Sequence, residues 1–202
     1  MNSEALISLL SAMADCIAEN KVYLTELDIA IGDGDHGVNM DRGFAAIREK
    51  LPIYAGLSCG AILTDAGKTL IRQMAGSSGP LYGSVFKCGG KAVGEKDTVT
   101  YGDLVTTLDE GIRKIQMLGG AVEGEKTMLD AMFPALRALR EESDPKAGLA
   151  KAAEAAHQAA EHTKEIIATK GRASYLGERS LGHIDPGAAS FTLLMTVIRD
   201  AV

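Results

Sequence analysis

The sequence predicts an all-α protein, and three observations support that prediction. Aromatic residues make up only 4% of the 202 residues, tryptophan is absent, and alanine-rich stretches are frequent, which favours helices over a β-sandwich or barrel. Apolar residues recur at spacings of three and four along most of the chain. No segment shows the alternation of a convincing strand. Since no linker divides the chain and domains usually run ~100–200 residues, we expect residues 1–202 to form one domain.

Each predicted helix rests on an apolar period, and several have start signals. The segments are 3–20, a short stretch around 23–27, 38–50, 60–75, 80–93, 100–115, 127–141, 145–169 and 186–201. Ser3 is the expected N-cap of the first helix. Thr100 and Asp103 have the spacing of a capping box. Asp144 and Asp185 are each followed by proline, which predicts an N-cap with proline at the first helical position. Two polar, glycine-bearing loops remain, at 31–37 and 170–185.

Composition excludes several classes of function. The net charge is −6 and no basic block stands out, so binding to nucleic acid is not expected. The sequence contains no run of 18 apolar residues, so no membrane span is expected, and the N-terminus lacks the basic region of a signal peptide. The three cysteines, Cys16, Cys59 and Cys88, are odd in number and far apart. We therefore expect a cytoplasmic protein whose thiols are buried as small apolar groups.

An acidic segment is the most informative part of the sequence. Asp28, Asp33 and Asp35 lie within eight residues among glycines, with His36 directly after them. Such clustered carboxylates repel one another, and a hard divalent cation such as Mg2+ is the usual compensation. The alternative interpretation is a turn in which each aspartate is only a cap, and His36 a structural hydrogen-bonding group.

Two familiar motifs do not explain this segment. Its glycines spell G-x-G-x-x-G, but no strand precedes them and no βαβ unit surrounds them, which argues against a dinucleotide fold. An EF-hand fails because the twelfth position from Asp33 is Phe44 and the twelfth from Asp28 is Asn39, where glutamate is required.

Two further segments favour an anionic ligand. The segment 76–81, with Ser77 and Ser78, opens a helix where backbone N–H groups can approach an anion, although for this segment taken alone an ordinary helix N-terminus is the favoured interpretation. The segment 171–187 contains Arg172 and Arg179 among small residues. It reads either as a solvated loop or as a lid over a polyanion.

Four motifs together resemble the nucleotide-binding L subunits of dihydroxyacetone kinases. They are Leu27-Asp28 followed by IGDGDHGVNMDRGF (31–44), GSSGPLYG (76–83), GEKTMLD (124–130) and KGRASYLGERSLGHIDPGAASF (170–191). The resemblance spans nearly the whole chain, in order and at the expected separations. It implies an antiparallel eight-helix barrel with the nucleotide site at one end.

The resemblance also implies roles for individual residues. Asp28, Asp33 and Asp35 would ligate two Mg2+ ions that bridge the phosphates of ADP/ATP. The residues beside the phosphates would be His36, Asn39, Ser77, Ser78 and Gly79. The adenine pocket would be lined and closed by Leu81, Thr127, Met128, Arg172, Asp185, Pro186 and Gly187. The resemblance assigns no catalytic residue, and His36 is the candidate.

Partners follow from the same resemblance. Dihydroxyacetone would bind a separate K subunit, DhaK, and the phosphohistidine protein DhaM would phosphorylate the bound ADP in place. Two alternatives stay open: an L subunit that exchanges free ATP or serves another short ketose or a fatty acid, and a nucleotide-state sensor that binds a transcriptional regulator. The sequence leaves a homodimer open.

Overall fold

The all-α prediction is confirmed. The computed structural model describes all 202 residues and contains nine α-helices, three 3-10 helices and no β-strand. The α-helices are α1 (Ser3–Glu19), α2 (Lys21–Ile31), α3 (His36–Lys50), α4 (Cys59–Gln73), α5 (Ser78–Val93), α6 (Tyr101–Gly119), α7 (Leu129–Glu141), α8 (Pro145–His162) and α9 (Pro186–Asp200). The 3-10 helices are Leu51–Tyr54, Thr163–Glu165 and Arg172–Ser180. None of the helices combines the length and apolarity needed to cross a bilayer.

Most predicted helix starts are correct. Asp144 and Asp185 each cap a helix that begins with proline, by accepting a hydrogen bond from a backbone N–H three residues later. The capping box is present, since the Asp103 carboxylate accepts from Thr100 N and the Thr100 hydroxyl accepts from Asp103 N. The prediction that Ser3 is the N-cap of α1 is wrong. The side chain of Asn2 accepts a hydrogen bond from Ala5 N, so Asn2 is the N-cap and Ser3 is the first helical residue.

Two predictions about the second half of the chain need correction. The helix expected over 145–169 ends at His162 and is followed by a short 3-10 helix. The segment 170–185 is not an irregular loop, because residues 172–180 form a 3-10 helix that is kinked at Gly177.

Of the three thiols, only Cys59 is buried, and none forms a disulfide.

By its internal contacts the chain divides into two units. The first comprises Met1–Ala18 and Asn39–Gly119, and therefore α1, most of α3, and α4 to α6. Its core is a set of fully buried side chains that includes Phe44, Ile47, Tyr54, Ile62 and Leu70. Helices α4 and α5 pack closely, and a Cβ on Gly67 would lie only 2.6 Å from the carbonyl oxygen of Gly83.

The second unit comprises Glu19–Val38 and Gly120–Val202. In it α7, α8 and α9 pack on one another, and α2 packs on α9 and on the 3-10 helix 172–180. The alanines of α8 provide much of its buried face, which brings the neighbouring helices close. This packing brings the end of α2 beside the start of α9, where most of the predicted site residues lie. The eight-helix barrel stays a prediction.

Candidate functional site

The three predicted aspartates come together in the second unit. Asp28 lies in the last turn of α2 and is buried, while Asp33 and Asp35 lie in the exposed turn between α2 and α3. One carboxylate oxygen from each lies within 4.8 Å of the others. The D-x4-D-x-D spacing thus places one carboxylate on a rigid helix and two on the turn that follows it.

The Asp28 carboxylate organises this turn. Its Oδ2 accepts hydrogen bonds from the backbone N–H of Asp35 at 2.8 Å and from that of His36 at 3.0 Å. These N–H groups lie at the start of α3, where a negative charge is favoured by the helix dipole. Gly32 makes the arrangement possible, because a Cβ there would overlap Oδ1 of Asp28.

The cluster has the donors of a site for a hard divalent cation. Three carboxylates converge, and carboxylate oxygens are the ligands that Mg2+ prefers. The Arg172 guanidinium, from the 3-10 helix 172–180, contacts Oδ2 of Asp33 at 2.9 Å. The late segment that the sequence offered as a lid therefore approaches the acidic cluster through one of its two arginines.

His36 is buried between the cluster and α9. Its Nε2 lies 2.9 Å from the Ser190 hydroxyl, and the ring also forms a hydrogen bond with the backbone of Pro186. Burial lowers the pKa of His36 because it disfavours the imidazolium, although the charges of Asp28 and Asp35 oppose this shift. The ring therefore fastens the start of α3 to α9 in its neutral form.

Asp185, Pro186 and Gly187 form the start of α9. The Asp185 carboxylate caps that helix through the N–H of Ala188 at 2.7 Å. Burial raises the pKa of this carboxyl to about 7, and the neighbouring charge of Asp130 adds to the effect. A Cβ on Gly187 would lie 3.2 Å from Cβ of Met128, so these two predicted adenine contacts are adjacent.

Thr127 and Met128 lie in a tightly held turn before α7. Oδ2 of Asp130 accepts from Thr127 N at 2.7 Å, and Oδ1 accepts from Gly124 N at 2.5 Å. Met128 is buried and Thr127 is half-buried. The GEKTMLD motif is therefore a turn folded around its own last carboxylate.

Lys126, in the same turn, was missed by sequence reasoning. Its side chain is almost fully buried, and its ammonium group donates to the carbonyls of Thr163 at 2.5 Å and His183 at 2.6 Å. Burial lowers its pKa, against the charges of Asp185 and Asp130. It is also the one non-glycine residue with a positive φ, 61°. A lysine inside a motif gives no sign that it will be buried.

The remaining predicted residues belong to the first unit. Ser77 is exposed and precedes α5, Ser78 is its first residue and is half-buried, and Gly79 is buried against Met74. Leu81, on the same helix, is partly buried.

Asn39, on α3, is buried, and its Oδ1 accepts a hydrogen bond from Arg42 at 2.6 Å. That these first-unit residues bind a nucleotide stays a prediction.

Comparison with known proteins identifies relatives of this chain. The model of the DAK2 domain matches residues 30–200. The ADP-binding subunit DhaL of the PEP-dependent dihydroxyacetone kinase of Escherichia coli (strain K12) is 40% identical over 197 residues, covering 96% of this chain and 94% of the relative. The ADP-binding subunit DhaL of the PTS-dependent dihydroxyacetone kinase of Lactococcus lactis is 40% identical over 199 residues, covering 98% and 97%.

A solved structure has the same fold. The crystal structure of the dihydroxyacetone kinase from C. freundii in complex with AMP-PNP and Mg2+ matches with a TM-score of 0.76 and 27% identity, over 97% of this chain. The match covers only 33% of that longer chain. The present chain therefore spans about a third of the solved kinase but nearly all of the two bacterial subunits.

Proposed function

This chain belongs to the DAK2 domain family, and we propose that it is the nucleotide-binding subunit of a dihydroxyacetone kinase. The single observation that carries the proposal is the convergence of Asp28, Asp33 and Asp35 within 4.8 Å. The Arg172 contact and the two bacterial relatives support it further. The protein is then a phosphotransferase subunit with an alcohol acceptor.

The three carboxylates would hold Mg2+, and we propose two ions. Bound there, Mg2+ would neutralise the negative charge that builds up on the phosphate oxygens during phosphoryl transfer. The chain's own part is to bind and orient. Asp28 fixes the turn, and neutral His36 holds the start of α3 to α9 through Ser190. Arg172 would exchange its contact with Asp33 for a phosphate oxygen and exclude water that competes as acceptor.

The phosphoryl route is the finer part of the proposal. ADP would stay bound as a coenzyme, receive phosphate from a phosphohistidine protein such as DhaM, and pass it to dihydroxyacetone on a K subunit such as DhaK. The two bacterial relatives are the ADP-binding subunits of a PEP-dependent and a PTS-dependent dihydroxyacetone kinase, which supports this route. The two subunits also match this chain in length.

The first experiment identifies the nucleotide that the protein retains. The purified protein is desalted in Mg2+, denatured, and the released nucleotide is separated by chromatography. Near-stoichiometric ADP that is lost with chelator supports the coenzyme role. Weak, exchangeable ATP would instead favour a subunit that uses free ATP. No binding of either nucleotide in Mg2+ would refute the kinase proposal.

A matched pair of variants tests the metal assignment. Asp33→Asn should abolish Mg2+-dependent ADP binding while the helical circular dichroism stays unchanged. Asp15→Asn is the control, since Asp15 is also an exposed carboxylate paired with an arginine, Arg48, outside the cluster. Wild-type ADP affinity in Asp33→Asn would show that the aspartates are caps rather than ligands.

A further inference from the structure

The side-chain amide of Asn39 contains an unexplained donor. Asn39 is 3% exposed, and its Nδ2 is the one buried side-chain nitrogen or oxygen in the chain that lacks a hydrogen-bond partner. Leaving a buried donor unpaired is unfavourable, so buried polar groups in native proteins almost always have partners. An unsatisfied N–H at this position therefore indicates an acceptor supplied from outside the chain.

Arg42 determines which way this amide faces. Arg42 lies about one turn after Asn39 on α3. Its Nη2 donates to Oδ1 of Asn39 at 2.6 Å, and its Nε donates to the carbonyl of Gln73 at 2.5 Å. A guanidinium has only donors, so the atom of Asn39 that faces it must be the oxygen. The amide cannot flip while Arg42 is present, and Nδ2 is held away from Arg42 as a donor.

The second contact of Arg42 connects this amide to the serine segment. Gln73 is the last residue of α4, where the final carbonyls lack partners within the helix and attract a cation. Gly76, Ser77 and Ser78 follow within five residues. Arg42 therefore joins α3 to the end of α4 just before the turn that opens α5, and all of these residues belong to the first unit.

We propose that Arg42 is a positioning residue for the nucleotide. It fixes the Asn39 amide so that Nδ2 donates to a phosphate oxygen, while its bond to the Gln73 carbonyl holds the guanidinium in place. Arg42 itself does not contact the ligand. This inference rests on the proposed nucleotide-binding function, and it extends that function to a residue of the motif 31–44 to which the sequence analysis gave no role.

The test separates phosphate recognition from adenosine recognition. Binding of ADP and of adenosine, each with Mg2+ in excess, is measured by calorimetry for wild type, Arg42→Met, Asn39→Ala and the double variant. Arg48→Met is the matched control, because Arg48 lies on the same helix and makes a surface ion pair with Asp15. Unfolding temperatures without ligand are recorded for every variant. Arg42→Lys provides a second, milder change, since lysine keeps the charge but lacks the planar fork whose Nε and Nη2 make the two contacts.

The expected result is a loss confined to ADP. Arg42→Met should bind ADP about tenfold more weakly, the effect of one hydrogen bond to an ionised group, with adenosine affinity unchanged. Arg42→Lys should lie between it and wild type. The double variant should be no weaker than Asn39→Ala alone, because both changes remove the same contact.

Several results would overturn the inference. Wild-type ADP affinity in Arg42→Met would show that Arg42 positions nothing. Equal losses for adenosine and ADP, or losses that add in the double variant, would assign Arg42 to the fold or to a separate contact. If wild type binds neither ligand, the proposed function itself fails, and that outcome is distinct from the other two.

Discussion

Gly32→Ala tests whether the geometry of the acidic cluster decides metal binding. A Cβ at this position would overlap Oδ1 of Asp28 and would lie 2.9 Å from its Cγ. Carbon atoms in contact are about 3.5–4.0 Å apart, so the carboxylate must move by roughly 0.6–1.1 Å. The backbone at Gly32 has φ −140°, outside the left-handed region, so the expected effect comes from the Cβ overlap.

This displacement is large compared with what a metal site tolerates. Metal–ligand distances are held within about 0.2 Å, and losing the support of one ligand commonly lowers affinity 10–100-fold. We therefore expect Gly32→Ala to bind Mg2+ and Mg2+-dependent ADP at least about tenfold more weakly. The hydrogen bonds from Asp35 N and His36 N to Asp28 would also weaken, which lowers the free energy of unfolding by about 1–3 kcal/mol.

Titration calorimetry with Mg2+ and with ADP measures the first effect, and chemical denaturation in chelator measures the second. Gly119→Ala is the control, since Gly119 ends α6, has no positive φ, and a Cβ there would meet no atom within 4 Å. Asp28→Asn keeps an oxygen for the two N–H groups but lowers the charge, and so separates folding from metal binding. Wild-type Mg2+ affinity in Gly32→Ala would refute the geometric argument.

Three further substitutions test other parts of the site. Because the pKa of Asp185 in the folded protein is raised to about 7, this carboxyl removes stability from wild type as pH rises from about 4 through 7, and Asp185→Asn abolishes that contribution. In chelator at pH 8 the variant should be about 1–4 kcal/mol more stable, and equal pH profiles by thermal denaturation would contradict this. Arg172→Gln should change stability by less than about 1 kcal/mol, because its ion pair is exposed. Calorimetry should show that Arg172→Gln binds Mg2+ more tightly in the absence of nucleotide, because Asp33 is freed, and binds ADP more weakly. Unchanged Mg2+ affinity would exclude competition between Arg172 and Mg2+ for Asp33. Lys126→Met leaves two carbonyls unpaired and should lower the free energy of unfolding, measured by urea denaturation, by about 2–4 kcal/mol. Lys151→Met, at an exposed ion pair, should lower it by less than about 1 kcal/mol.

Local signals in the sequence predicted the helices well, because caps and apolar periods act over a few residues. Asp144, Asp185 and the Thr100–Asp103 box are correct for this reason. Ser3 failed because Asn2, directly before it, is an equally good cap and takes the role. The 3-10 helix 172–180 was missed because a short 3-10 segment with a glycine kink has no 3.6-residue period.

Long-range contacts could not be predicted from spacing. The acidic cluster was recognisable because its three carboxylates lie within eight residues. His36 was singled out as well, but its partner Ser190 lies 154 residues away. Lys126 was missed since its burial depends on carbonyls 37 and 57 residues along the chain. A sequence pattern identifies which residues bear charge, whereas only the fold decides which of those charges are buried.

The acidic cluster is compensated in two ways, and the difference matters for its chemistry. Asp28 is stabilised by backbone N–H groups at the start of α3, which belong to the fold and remain in place when a cation binds its other oxygen. Asp33 is paired instead with the side chain of Arg172, from a segment outside the cluster. If the cluster holds a cation as proposed, that cation would compete with Arg172 for Asp33 and would release the arginine toward a phosphate. Metal and nucleotide binding would then be coupled through Arg172, because one carboxylate cannot neutralise both positive charges fully.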